Sequence, residues 1–178
     1  ATMSDVCVIG HVTLESVVIG EHRSDFTVGG TGFFSSIAYQ RLGLATTLVT
    51  RIAETDQKTL LKHIEQIGVS VRCLPSRETL RFKNVYPSSN PNLRTQTILA
   101  IADPLTTDDL ADISASIFHF GPLVAGDIEP TVFAELAGRG TVAVDVQGML
   151  RRRRQGKVTW NMTREIRHMM RFVDVLKA

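Results

Sequence analysis

Three glycines in four positions, Gly29-Gly30-Thr31-Gly32, precede an amphipathic run that stops at Gly43. Each glycine costs backbone entropy, so the cluster does not serve helix or strand stability. It suits a place where the chain turns tightly and lets another group come close. Residues 32–42 then put Phe33, Phe34, Ile37, Ala38 and Leu42 at near-helical spacing, and Gly43 stands where a helix C-terminus favours glycine. A glycine turn feeding a helix N-terminus is a common way to hold a polar or anionic ligand.

The elements around this turn alternate. Val6-Cys7-Val8-Ile9 is a continuous apolar run that predicts a buried central strand of a parallel sheet. Further strands are predicted over 46–52, 69–71, 117–120, 141–146 and 173–176. Helices are predicted after Asp56, which stands as an N-cap, and over 129–137 and 163–172, with a short one starting at Thr107. In the first of these, Leu60, Leu61, Ile64 and Ile67 form an apolar stripe ending at Gly68. Two hairpins interrupt the alternation, one over 16–28 and one over 80–102, the latter turning at 87–92. Strands alternating with helices imply an α/β fold with a parallel sheet, and the hairpins imply a small separate sheet above it. Ligands of such sheets bind at the carboxyl ends of the strands, here Gly10-His11, Ala53-Glu54, Phe120-Gly121 and Asp145-Val146-Gln147.

A chain of 178 residues, 43% apolar and 21% charged, is ordinary for one soluble domain. A net charge of +2 is too small to point to nucleic acid or a membrane surface. No apolar run approaches the ~20 residues of a membrane span. The two cysteines, Cys7 and Cys73, make no disulfide framework, which favours a reducing cytoplasm. His11 and His119 read as satisfied polar groups, since no Cys/His cluster has metal-ligand spacing. The run Arg151-Arg152-Arg153-Arg154 reads as a solvated loop rather than a nucleic-acid patch, because aromatic neighbours are lacking.

This order of elements resembles the ribokinase-like (PfkB) family of sugar and nucleoside kinases, matched along the whole chain to the family's N-terminal part. Val6 to Gly10 followed by Glu15 looks like its first strand and substrate-hydroxyl ligand, and Gly29-Gly30-Thr31-Gly32 looks like its double-glycine turn. The resemblance implies a Rossmann-like parallel sheet flanked by helices, with an inserted β lid at about 12–28 and 80–102 that covers the substrate and often forms a dimer contact. It implies one incomplete domain over 1–178, ATP and Mg²⁺ as cofactors, and a small sugar or polyol as partner, with no nucleic acid or membrane. The tract Phe118-His119-Phe120-Gly121-Pro122 with Asp145-Val146-Gln147-Gly148 and Arg151 is similar to an inositol or unassigned sugar kinase branch.

The chain also departs from the pattern. Phe34 stands where the family has Asn, Ala53 where it has glycine, and Glu15 where it often has Asp. The family's catalytic segment, Asp-Thr-x-Gly-Ala-Gly-Asp, has no counterpart here, so the chain is expected to be a fragment cut before the ATP-binding part. No residue is assigned as catalytic or as a metal ligand. The substrate-binding candidates are Glu15, Gly29, Gly30, Gly32, Phe34, Gln96, Asp145 and Arg151. A carboxylate such as Glu15 can accept hydrogen bonds from vicinal hydroxyls, and bare glycine N–H groups allow close approach. Second readings stand beside these: Glu15 as lid surface, Phe34 as core, Asp145 as a turn cap, Gln96 facing water. Arg151 can reach a phosphate or carboxylate, or belong to the solvated run. The function implied is ATP-dependent phosphorylation of a sugar or polyol hydroxyl by the full-length protein; the alternative is a non-catalytic sugar-binding or regulatory module. A dinucleotide-binding oxidoreductase is disfavoured, because Gly10-His11-Val12 lacks the G-x-G-x-x-G turn after the first strand.

Overall fold

The computed structural model describes residues 3–87 and 92–178. Residues 88–91 of the expected 87–92 turn lie outside the described part. The first strand, β1 (Ser4–Ile9), is fully buried from Val6 onward. It pairs in parallel with β4 (Thr46–Ala53) on one side and β8 (Ala115–Phe120) on the other. With β5 (Ser70–Ser76), β9 (Thr141–Asp145) and β12 (Val175–Lys177) these make a six-stranded sheet of order β12-β9-β8-β1-β4-β5, each pairing parallel.

Burial on both faces explains the unbroken apolar run of β1. Successive side chains of a strand point to opposite faces. Val6 and Val8 therefore join Leu48, Ile52, Leu60, Leu61 and Ile64 in one core, under α1 (Thr31–Arg41) and α2 (Glu54–Gln66). Cys7 and Ile9 join Phe118, Phe120, Phe133 and Ile166 in the other, under α3 (Pro130–Leu136) and α5 (Arg164–Met169). Burial pushes the Cys7 thiol up to about 12, so it behaves as a small hydrophobe.

The second sheet has order β10-β11-β7-β6-β2-β3. It holds the two expected hairpins, β2 (Thr13–Ile19) with β3 (His22–Gly29), and β6 (Arg81–Tyr86) with β7 (Thr95–Ala100). The hairpins join through a parallel β2–β6 pairing. A third hairpin, β10 (Arg151–Arg154) with β11 (Lys157–Trp160), completes it by pairing to β7. Thus Arg151–Arg154 is a strand and not a solvated loop. Its turn, Gln155-Gly156, has both φ positive, at 51° and 80°, as a two-residue type I′ hairpin requires. Leu80, Phe82 and Ile98 under this lid pack on Leu123 and Val124 of the loop after β8, so the lid rests on the main sheet through apolar contact.

Two local expectations are corrected. Asp56 is not the cap of α2; the cap is Ala53, and Asp56 lies in the first turn. There it accepts hydrogen bonds from Thr79 Oγ1 at 2.6 Å and Arg81 Nη2 at 2.9 Å, tying α2 to the lid. In α1, Phe34 and Leu42 are exposed, and the buried face is Gly32, Ser36 and Ile37. A serine is admitted there because its hydroxyl donates to the Gly32 carbonyl at 2.5 Å.

Candidate functional site

The glycine turn is where the two sheets meet. β3 ends at Gly29, and Gly30, with φ of 90°, is the N-cap of α1. A Cβ on Gly30 would fall 2.6 Å from the His11 carbonyl oxygen, so the turn is pressed against the segment leaving β1. Above it opens a cleft of about 380 Å³ between the carboxyl ends of the main-sheet strands and the lid. Six of the sequence candidates line this cleft: Glu15, Gly30, Phe34, Gln96, Asp145 and Arg151. Gly29 and Gly32 lie behind it. A Cβ on Gly29 would collide with the Glu15 carboxylate, and one on Gly32 would lie 2.6 Å from the Gly10 carbonyl oxygen. These two glycines let neighbouring parts of the chain approach each other.

Glu15 on β2 is the head of a hydrogen-bonded row across the lid. Its Oε1 accepts from Thr13 Oγ1 at 3.1 Å, and its Oε2 accepts from Asn84 Nδ2 at 3.0 Å. Asn84, on β6 and buried, in turn accepts from Gln96 Nε2 at 2.9 Å through its Oδ1. The pairing of Asn84 with Gln96 in the β6–β7 register sets this row. Both carboxylate oxygens of Glu15 thus have a fixed donor, while an ionised carboxylate has about four lone-pair positions to offer. The remaining ones are open to hydroxyls in the cleft. Asn84 is the residue that sequence reasoning missed; its signal was a buried-strand position carrying an amide, opposite Gln96 in the hairpin.

Across the cleft, Asp145 at the end of β9 accepts from Lys177 Nζ at 2.7 Å and from the Gln147 backbone N–H at 3.1 Å. Asp145 is thus both a turn cap and a cleft wall. Phe34 is 62% exposed at the rim, edge-on to Phe33 with ring centroids 5.2 Å apart. It is not core, because position 34 of α1 points away from the sheet. Arg151 is 4% exposed, and its guanidinium lies 5.5 Å from the Trp160 ring centre. Burial lowers its pKa, and the nearby charge of Arg94 lowers it further. Arg94, Gln147 and Lys177 also line the cleft and were not among the candidates.

His119 Nδ1 and the Tyr39 hydroxyl are 3.0 Å apart, which satisfies both. His11 is only half satisfied: Nε2 lies 3.0 Å from the Asp103 carbonyl oxygen, but Nδ1 has no hydrogen-bond partner among the described residues. Among the described residues no group of three or more His, Cys, Asp or Glu converges as a metal site would require.

No protein-family model and no curated protein sequence matches this chain. Solved structures do. One described as a pyrophosphate-dependent kinase in the ribokinase family, complexed with a pyrophosphate analog and myo-inositol, superposes with a TM-score of 0.87 at 24% identity. That match covers 96% of this chain and 60% of the other. The fold is the N-terminal part of the ribokinase fold. A sulfate complex of a pyrophosphate-dependent kinase in the ribokinase family gives a TM-score of 0.85 at 26% identity, with the same coverage of 96% and 60%. The ribokinase of Thermotoga maritima gives 0.69 at 18% identity, over 98% of this chain and 59% of that one. The chain thus spans about 60% of the length of the solved structures it matches. The parallel sheet flanked by helices is accordingly that of a ribokinase fold.

Proposed function

We propose that the cleft between the lid and the main sheet is the acceptor site of a small-molecule kinase, and that the full-length protein phosphorylates a hydroxyl of a sugar or polyol. The observation that carries this reading is the row Glu15–Asn84–Gln96 facing a cleft at the carboxyl ends of parallel strands. A carboxylate held by two donors keeps its orientation and presents its free lone pairs to vicinal hydroxyls, which is positioning chemistry. Phosphoryl transfer rests mainly on such positioning and on charge neutralisation. Asp145 and Glu15 are both engaged by protein donors, so neither is assigned as the base. ATP with Mg²⁺ would supply the transferred phosphoryl group. The neighbours bear on the donor: one is a plant ribokinase complexed with ribose and ATP, and others are described as pyrophosphate-dependent. Exposed Ile19 and Phe26 on β2 and β3 give the lid an apolar edge on which a second copy would dock in a homodimer. The free cysteines Cys7 and Cys73 support a reducing cytoplasm as the proposed location.

The test is a coupled assay of the full-length protein against sugars, nucleosides and inositols, run with ATP–Mg²⁺ and separately with pyrophosphate–Mg²⁺. Glu15→Gln turns one acceptor into a donor that faces the Asn84 amide. A hydrogen bond to a charged group is worth about 1.5–3 kcal/mol, so KM for the acceptor should rise roughly 10- to 150-fold. Binding of a polyol without turnover from either donor would leave the non-catalytic binding module in place of the kinase.

A further inference from the structure

Positive charge gathers at the lid rim, where Asp145, Glu15 and Asp127 act on Arg151 through space but none forms an ion pair with it. Arg94 stands just before β7, Arg151 opens β10, and Lys157 opens β11. Among the described residues neither Arg94 nor Arg151 makes an ion pair or donates a side-chain hydrogen bond, and the buried Arg151 Nε has no acceptor. The carboxylates nearest them take their hydrogen bonds from other donors. Asp145 is held by Lys177, Glu15 by Thr13 and Asn84, and Asp127 accepts the backbone N–H groups of Leu123 and Val124 at 2.7 and 2.9 Å on Oδ2, while its Oδ1 is buried with no hydrogen-bond partner among the described residues and does not reach Arg151. A buried guanidinium remains charged, and leaving it unpaired is costly. A buried Arg151 with the exposed Arg94 guanidinium beside it on the same cleft wall makes a place that an anion would stabilise.

The rim also has the room for one. A lobe of about 280 Å³, lined by Arg94, Gln96, Arg151, Lys157 and Trp160, adjoins the main cleft through its shared walls Arg94, Gln96 and Arg151. Arg151 and Trp160 are direct partners in the β10–β11 register, so the indole covers the guanidinium and limits its motion. A restrained guanidinium is suited to two parallel hydrogen bonds with phosphate or carboxylate oxygens. We propose that this lobe is an anion subsite, and that the molecule bound in the cleft is a sugar or polyol already carrying a phosphate or carboxylate group. Its hydroxyls meet Glu15 and Gln96, and its anionic group meets Arg94 and Arg151. Calling that molecule the phosphoryl acceptor rests on the kinase reading above; the subsite itself does not.

Binding is read by titration calorimetry, with the fluorescence of Trp160, the one tryptophan of these 178 residues, as a second reporter of the lobe. The full-length protein is titrated with D-ribose and myo-inositol, with their monophosphates, and with inorganic phosphate and pyrophosphate. At least one monophosphate should bind ten times or more tighter than its neutral parent and should weaken as salt rises. Arg94→Gln and Arg151→Gln should each remove that advantage, bringing the monophosphate to within about twofold of its neutral parent on the same variant. Arg94 is exposed, so its variant keeps the test valid if Arg151→Gln fails to fold. The proposal falls if no monophosphate exceeds its parent. It also falls if Arg94→Gln weakens only inorganic phosphate or pyrophosphate, which would assign the lobe to the donor. Tight monophosphate binding with no turnover from either donor would overturn the kinase reading and keep the subsite. Turnover of neutral polyols, with no monophosphate bound more tightly than its neutral parent, would do the reverse.

Discussion

Gly32 faces the backbone of the segment leaving β1 at close range: a Cβ there would lie 2.6 Å from the Gly10 oxygen and 3.0 Å from the His11 oxygen. Both neighbours are backbone, so neither can yield as a side chain would. Gly32→Ala should therefore lower stability by about 1–3 kcal/mol, read as a shift in the urea midpoint, although alanine is the better helix former. An unchanged or raised midpoint would show that α1 can slide off β1. The turn was readable in the sequence as a place of close approach, but what approaches differs at each glycine. Only Gly30 faces the cleft, and no spacing rule separates it from Gly29 and Gly32. Glu15 and Gln96 could be picked out singly, whereas their link Asn84 depends on strand register, which a lone sequence does not fix. His119 makes a second prediction at this scale. Burial lowers its pKa, with the Asp145 charge opposing the shift and the Lys177 charge adding to it. The unfolded chain then takes up the proton first as pH falls, so stability is full above about 6.5 and declines below it. His119→Gln should lose less melting temperature between pH 7 and pH 5 than the parent; equal losses would put the proton elsewhere.

The β10–β11 hairpin shows how an element hides. Four consecutive arginines read as a charged loop, because neither strand nor helix periodicity is visible in a run of one residue type. The available signal was the turn, Gln155-Gly156, flanked by two short stretches. What makes the run a strand is its neighbour: β7 is an open edge until β11 pairs with it, and Arg151 at the inner end is covered by Trp160. By contrast β1 and the helices ending at Gly43 and Gly68 could be placed from sequence, since burial on both faces and a glycine at φ 85° and 92° are local signatures. The hairpin rests on Gly156, whose φ of 80° is hostile to a β-branched side chain. Gly156→Val should fray β10–β11 and cost about 1–2 kcal/mol locally. Acrylamide quenching of Trp160 should rise, while the melting temperature of the main sheet should move by only a few degrees. Unaltered quenching would mean that the turn tolerates valine and that β7 alone holds the hairpin in place.

At the scale of the molecule, two sheets of six strands each share one seam. The main sheet has its most protected strand at the centre, where β1 is flanked by β4 and β8 and buried on both faces. The lid ends in the short hairpin β10–β11, held to the rest of its sheet by few residues, and in β3, whose side chains are mostly exposed. The seam between them includes the Asp56–Thr79–Arg81 link, the turn at Gly30, the packing of Leu14 and Val28 on the main core, the Ala125 N–H to Arg151 carbonyl bond, and the apolar contact of Phe82 and Ile98 with Leu123 and Val124. Openings of a fold follow such differences in burial and cross-linking. Amide exchange should accordingly be slowest at Val6–Ile9 and 117–120, reaching the rate of global unfolding, and fastest at β10 and β11. If a ligand meets Gln96 and Arg151 as proposed, its binding should slow exchange in β7, β10 and β11 far more than in β1. If β1 and the lid strands instead exchanged at one common rate with and without ligand, the two sheets would open as a single unit. The lid could not then close independently over the cleft, and the substrate would have to enter before the lid sheet forms.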